Sequence, residues 1–250
     1  GMKEQAFGIM SRIMGEDEVR AQYEEMEQAI SADRSRSSSQ GLAQILHPSM
    51  RRVLMIGIVL AVFQQWCGIN VIFNYAQEIF SSAGYSVSDI LMNIVITGVT
   101  NVVFTFVALF LVDKLGRRPL LLIGSGGLAL IYIMMAVVYC FQITGVVLLV
   151  IVVLAIACYA MSLAPVMWVV VSEIFPNAVR GAAMSIATFA LWTACFVLTY
   201  TFPLLNSALG AAGTFAIYGL ICLGGFLFIG RYVSETKNKS LEEIEKELVK

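Results

Sequence analysis

Charge is what this chain lacks over most of its length. Residues 119–172 contain no Asp, Glu, Lys or Arg, and neither do residues 181–230. Between Arg52 and Asp113 the only charges are Glu78 and Asp89. Each of these three stretches is long enough for two membrane crossings at about 20 apolar residues per helix. Only 13% of the residues are charged, against roughly 25% in ordinary soluble domains, so a soluble core protein is a poor reading. Metal-ligand spacing is absent as well. Cys67, Cys140, Cys158, Cys195 and Cys222 all lie singly in hydrophobic stretches, where cysteine packs as a small apolar group. The single histidine, His47, precedes Pro48 and reads as a boundary residue. No metal and no cofactor is expected. No basic patch interleaves with aromatics, so no nucleic-acid partner is expected either.

What the chain does have is a six-fold hydrophobic ladder with its basic residues on one side. With six crossings, Arg51/Arg52, Lys114/Arg117/Arg118, Arg180 and Arg231/Lys237/Lys239 fall at the even-numbered ends. The opposite loops, near 81–89, 142–145 and 206–213, contain no Lys or Arg. Basic loops stay cytoplasmic, so both termini are expected inside. The expected fold class is an all-α membrane protein with six transmembrane helices and cytoplasmic helices at both ends.

The sequence divides into three expected parts. Residues 1–50 form a cytoplasmic helical segment and linker, with Val19, Tyr23, Met26 and Ile30 at helical spacing. Residues 51–232 form the bundle, with spans at 52–80, 88–112, 119–141, 146–172, 181–204 and 212–232. Residues 233–250 form a short amphipathic helix opened by Ser240 with Glu243 three residues on, a capping-box pattern. Pro119 suits a first helical turn, whereas Pro165 and Pro203 are expected to kink their helices and free carbonyls.

Candidate chemistry concentrates in the first span. Gln64, Gln65, Asn70 and Asn74 place four amides in one membrane helix. Such groups are costly in a bilayer unless they face protein or water. An amide offers donor and acceptor together, which suits a neutral polyhydroxylated ligand; it serves equally as interhelical glue. On a straight helix Gln65 lies about 140° from Asn70. A break near Gly68 would bring them together. Trp168 and Trp192 sit away from the interface belt where Trp concentrates. An indole face suits a sugar ring, and core packing is the competing reading, the first one for Trp192. Glu173 and Arg180 flank one basic turn, and Asp113, Arg117 and Arg118 occupy another. Together they suit an ion-pair network that closes in one conformation and opens in another.

Four motifs carry a family resemblance. They are Q-Q-x-x-G-x-N from Gln64, D-K-x-G-R-R-P from Asp113, S-E-I-F-P-N-x-x-R-G from Ser172, and E-T-K-N-K-S-L from Glu235. In this order and spacing the chain resembles the sugar porter family of the major facilitator superfamily, from about residue 4 to the end. The resemblance is to the C-terminal half, so the spans correspond to transmembrane helices 7–12, and the motif-level likeness is to bacterial xylose–proton symporters. It implies that Gln64, Gln65, Asn70 and Asn74 line the sugar site, although the family often has Tyr where Asn74 stands. It further implies that Asn101, Trp168 and Trp192 belong to the sugar-binding set and Tyr75 to the extracellular gate. Asp113, Arg117, Arg118, Glu173 and Arg180 match the cytoplasmic gate network. Leu191 stands where relatives carry Gln or Asn, and Ala164-Pro165 replaces the usual Gly-Pro.

The expected function is therefore non-enzymatic, with no catalytic residues. It is half of a bacterial monosaccharide transporter in the inner or plasma membrane, working by alternating access as a proton symporter. No Asp or Glu sits mid-membrane here, so coupling would rest elsewhere. The implied partners are a monosaccharide, the lipid bilayer, and an N-terminal six-helix half or a second copy. A transporter-like sugar sensor and a non-transporting assembly module are the alternatives, and the short C-terminal tail counts against the sensor.

Overall fold

The computed structural model describes residues 8, 11, 48–82, 84–143, 145–177, 179–239, 243 and 244. The chain forms two compact units, Gly1–His47 and Pro48–Lys250. In the first, Ser11 Oγ donates to the Gly8 carbonyl at 3.2 Å; the remaining residues of the helical segment expected before Pro48 lie outside the described residues. The capping Ser240 of the expected tail helix does too, while Glu243 and Ile244 are helical and Ile244 is buried.

Among the described residues all regular structure is helical. The second unit begins with α1 (Pro48–Trp66), α2 (Ile69–Asn74) and α3 (Ala76–Ser82), three pieces of one span. Proline opens α1, where its missing N–H has no intrahelical role. Next comes α4 (Val87–Leu115), started by Ser86, whose Oγ accepts from the Asp89 N–H at 3.3 Å. Then follow α5 (Arg117–Cys140), α6 (Val146–Ala160) and α7 (Leu163–Ile174), the last two sharing a span. Finally α8 (Arg180–Tyr232) runs for 53 residues. At 1.5 Å per residue that is about 80 Å, more than twice a bilayer core of about 30 Å. It is two helical halves meeting at Gly210, with φ 67° and ψ 176°. Among the described residues, five helices are long and apolar enough to cross a membrane, and the fifth contains this kink.

Three sequence expectations shift. The loop expected over 206–213 is helical on both sides of Gly210. Hydroxyls serve the backbone there: Ser207 Oγ donates to the Leu204 carbonyl at 2.9 Å and Thr214 Oγ1 to the Gly210 carbonyl at 2.8 Å. Pro203 does not end its helix, and the chain changes direction seven residues later. Pro165 sits in the first turn of α7, just after the irregular Met161–Ser162 junction, so it starts a helix rather than kinking one.

The core lies where α8 packs along α5 and α1 and where α6 and α7 cover α5. Leu60, Leu121, Leu128, Tyr132, Ile156, Val170, Phe215 and Tyr218 are all buried there. By contrast α4 rests mainly on α6 and shows Val95, Val99, Val102, Phe106 and Phe110 outward. Their spacing of three to four residues makes one apolar helix face. Water would penalise that face, and lipid does not.

Candidate functional site

The first span breaks at Gly68. Its φ of 85° and ψ of −5° are left-handed, a region that glycine enters without a Cβ penalty. A Cβ there would also lie 2.8 Å from Tyr218 Cγ. The helical ladder shifts across the break: Gly68 N–H reaches the Gln65 carbonyl at 3.4 Å, and Val71 N–H the Gly68 carbonyl at 3.1 Å. The carbonyls of Gln64 and Cys67 lose their usual partners as a result. Thiols take their places, Cys67 Sγ donating to Gln64 O at 2.9 Å and Cys222 Sγ to Cys67 O at 3.6 Å.

The break brings together what a straight helix would separate. Asn70 Nδ2 donates to Gln65 Oε1 across it. Gln65 is buried and Asn70 half-buried, so the pair borders accessible space. Gln64 is oriented differently. Its Nε2 donates to the carbonyls of Leu163 and Ala164, at 3.3 and 3.1 Å, in the first turn of α7. That bond is interhelical glue, and it fixes α1 within one turn of Trp168, which is 36% exposed. Asn74 is exposed at the end of α2. Trp192 is 66% exposed on α8, so it is not packed in the core of this chain. Leu191 is buried beside it. Asn101 is half-buried on α4 and, among the described residues, makes no side-chain hydrogen bond to the α1–α2 amides. Trp66 Nε1 donates to the Ala194 carbonyl at 3.2 Å and joins α1 to α8.

Above the amides, Tyr75 forms a latch. Its hydroxyl donates to the Thr199 carbonyl at 3.0 Å, and its ring meets Phe202 at 4.5 Å between centroids. Thr199 lies four residues before Pro203, whose missing N–H leaves that carbonyl open. The expected kink residue therefore acts by exposing an acceptor.

At the basic end, Arg117 Nη2 pairs with Glu173 Oε1 at 3.1 Å, and Nη1 reaches exposed Asp113 at 3.5 Å. Glu173 Oε2 also accepts from Thr236 Oγ1 at 2.6 Å. Arg118 Nη2 donates to the Gly230 carbonyl at 2.6 Å. Glu173 pairs with Arg117 rather than with Arg180, whose Nε donates to the Phe175 carbonyl at 3.2 Å. Sequence reasoning gave no gate role to Glu235, which sits at the centre of this end. Its carboxylate accepts from the N–H groups of Arg117 and Arg118 at 3.0 and 3.1 Å, and from those of Thr236 and Lys237 at 3.0 and 2.9 Å. It thereby caps the open N-terminus of α5. Gly116 makes room, since a Cβ there would lie 2.7 Å from Glu235 Oε2. Partial burial pushes the Glu235 carboxyl up, but the four N–H donors outweigh it and hold it below the usual carboxylate range. The absent N–H of Pro119 behind the two arginines was the one available signal.

A family profile described as "Sugar (and other) transporter" matches residues 1–248. The chain belongs to this sugar transporter family. It is 36% identical to the arabinose-proton symporter of Bacillus subtilis (strain 168), over 100% of this chain and 53% of the relative. It is 38% identical to the D-xylose-proton symporter of Escherichia coli (strain K12), over 98% of this chain and 50% of the relative. A solved structure of the major facilitator proton:xylose symporter XylE, bound to 6-bromo-6-deoxy-D-glucose, matches with TM-score 0.82 at 36% identity. That match covers 99% of this chain and 52% of the other. The inward-open xylose transporter XylE from E. coli matches with TM-score 0.73 at 35% identity. The chain spans about half the length of the curated relatives it matches. Its fold is that of a major facilitator transporter, and its relatives are transporters, not enzymes.

Two substitutions test these arrangements. Tyr75→Phe keeps the ring against Phe202 but removes the donor to Thr199, and should destabilise the chain by about 1 kcal/mol, seen as a lower unfolding temperature in detergent. Glu235→Gln should cost about 1 kcal/mol at pH 7, discounted for its partial exposure. Because its folded-state pKa is depressed, the stabilisation is complete above the unfolded value of about 4.3 and is lost as pH falls through the folded value. The stability gap between the parent and Glu235→Gln should therefore close on acidification below about pH 4.

Proposed function

We propose that this chain is the C-terminal, sugar-binding half of a bacterial monosaccharide–proton symporter that works by alternating access. The Gln65–Asn70 amide pair across the Gly68 break carries the reading. Two carboxamides facing one space offer donors and acceptors in the combination that vicinal hydroxyls need. Trp168 and Trp192 supply flat apolar faces, both accessible. Asn74 and Asn101 extend the polar wall, and Gln64 acts by holding α1 against α7. Xylose and arabinose, named for two relatives, make a pentose the first ligand to test.

The proposal includes six crossings, with Arg180–Tyr232 crossing twice around Gly210. It takes residues 1–50 as cytoplasmic helices and linker, 51–232 as the bundle and 233–250 as the cytoplasmic tail. Both termini then lie on the cytoplasmic side of the inner or plasma membrane. Tyr75 closes the outer side through Thr199. Asp113, Arg117, Arg118 and Glu173 close the inner side, with Arg180 at its edge. The site's other wall comes from an N-terminal six-helix half or from a second copy.

Gln65→Ala, in the chain completed with an N-terminal half, should weaken pentose binding by about 1–3 kcal/mol, because Asn70 and the sugar each lose a partner. Calorimetric titration with xylose and arabinose measures it, and unchanged affinity for both would remove the amide pair from the site. For topology, Ser81→Cys should react with an impermeant maleimide from outside intact cells, and Ser35→Cys only after lysis. Cys140 and Cys195 are replaced by Ser for this assay. Labelling of Ser35→Cys in intact cells would invert the orientation.

A further inference from the structure

The break at Gly68 does not hold itself. It sits within one span of a bilayer, where an open carbonyl has no water to turn to. Two residues of α8, beyond the Gly210 kink, press on it. The Tyr218 ring lies against Gly68 so closely that a Cβ there would meet Tyr218 Cγ at 2.8 Å and Cβ at 3.2 Å. One turn further, Cys222 Sγ donates to the Cys67 carbonyl at 3.6 Å, the acceptor that the break releases. Residues four apart share a helix face, so ring and thiol act as one surface. Both are buried, and Tyr218 is backed by Phe215 and Tyr132, each with its ring centroid 6.4 Å away. The Tyr218 hydroxyl is buried and makes no hydrogen bond, so its contribution is the ring.

We propose that Tyr218 and Cys222 are positioning residues for the sugar site. They hold α1 and α2 in the broken geometry that brings Gln65 and Asn70 together, without touching the ligand. A straightened span would return the two amides to faces about 140° apart. It would also close the Cys67 carbonyl onto the Val71 N–H and leave the Cys222 thiol without its acceptor. The strip of α8 behind the break thus sets how readily the pair assembles. Ligand affinity then depends on residues that lie on the far side of the helix from the ligand. This inference rests on the sugar reading of the Gln65–Asn70 pair, while the state of the break itself can be read without any sugar.

The test is amide hydrogen–deuterium exchange on the purified chain in detergent, comparing peptides over 66–71 with peptides over 120–135 of α5. Tyr218→Ala and Cys222→Ala should speed exchange at 66–71 by about tenfold and change 120–135 by less than about twofold. Tyr218→Phe keeps the ring and Cys222→Ser keeps a donor, and both should stay within about twofold of the parent in each segment. Cys222→Ala alters little volume, so it decides the matter if Tyr218→Ala fails to fold. Equal acceleration of both segments would reduce the two residues to general packing and overturn the proposal. So would no local acceleration, or Phe and Ser variants that behave like Ala. In the chain completed with an N-terminal half, both Ala variants should weaken xylose binding about five- to tenfold, with Phe and Ser restoring it. No binding of any pentose by that completed parent would sink the sugar reading alone, and the exchange pattern would still judge the buttress.

Discussion

Inside a bilayer a backbone carbonyl that leaves its helical ladder has no solvent to accept from, and every irregular turn must bring its own donor. The described part of this chain follows that rule at the Gly68 break and at Pro203. At Gly68 the donors are the thiols of Cys67 and Cys222. At Pro203 the donor is the Tyr75 hydroxyl, which takes the carbonyl of Thr199. These bonds are weak or modest one by one, about 1 kcal/mol or less each. Their importance is that an open carbonyl in hydrocarbon without a donor costs several kcal/mol. The bends are where the proposed ligand groups and gate residues sit, so the satisfaction of the backbone and the assembly of the site are one problem.

The basic end solves a related problem with charge. A helix N-terminus presents unpaired N–H groups, and Pro119 leaves α5 only two before the ring. Glu235 accepts from both while also folding its own segment through Thr236 and Lys237. The carboxylate thereby links the residues after α8 to the turn between α4 and α5. Glu173 adds α7 to the same cluster through Arg117 and Thr236. Three span ends are joined by two carboxylates. Charge-assisted bonds suit this position, since they lie where hydropathy ends and water begins.

The membrane class and the break at Gly68 were legible in the sequence, because each follows from local facts. Charge-free length gives a span, and the angular separation of Gln65 from Asn70 demands a bend that glycine permits. The positions of bends at proline were not legible. Proline guarantees a missing N–H, but whether the helix turns there depends on who takes the freed carbonyl. Pro203 is tolerated in a continuing helix that Tyr75 serves from 124 residues away. Partner choice among charges was equally hidden. Arg180 lies seven residues from Glu173 in the same expected network, yet it is Arg117 that reaches Glu173, from 56 residues away. Glu235 belonged to a motif whose outline was visible, and its role needed the 118-residue contact to Arg117. Motif resemblance marked the right neighbourhoods, while the pairing inside them is tertiary.

Exposure along α8 carries the proposal one step further. Phe189, Trp192, Phe196 and Tyr200 recur at three to four residues and are each about two-thirds exposed or more. Lipid covers an apolar stripe like this without penalty, so the stripe by itself does not require a protein partner. The amides do. Asn74 is exposed and Asn70 half-exposed, and a carboxamide in hydrocarbon costs several kcal/mol unless it finds a partner. In the proposed reading, a second bundle across the amide wall and a sugar between the two supply those partners at different points of the cycle. On that reading the same groups that make the wall unstable against lipid make it selective for hydroxyls. Replacing them with apolar residues would ease the burden of an uncovered wall and abolish the site together.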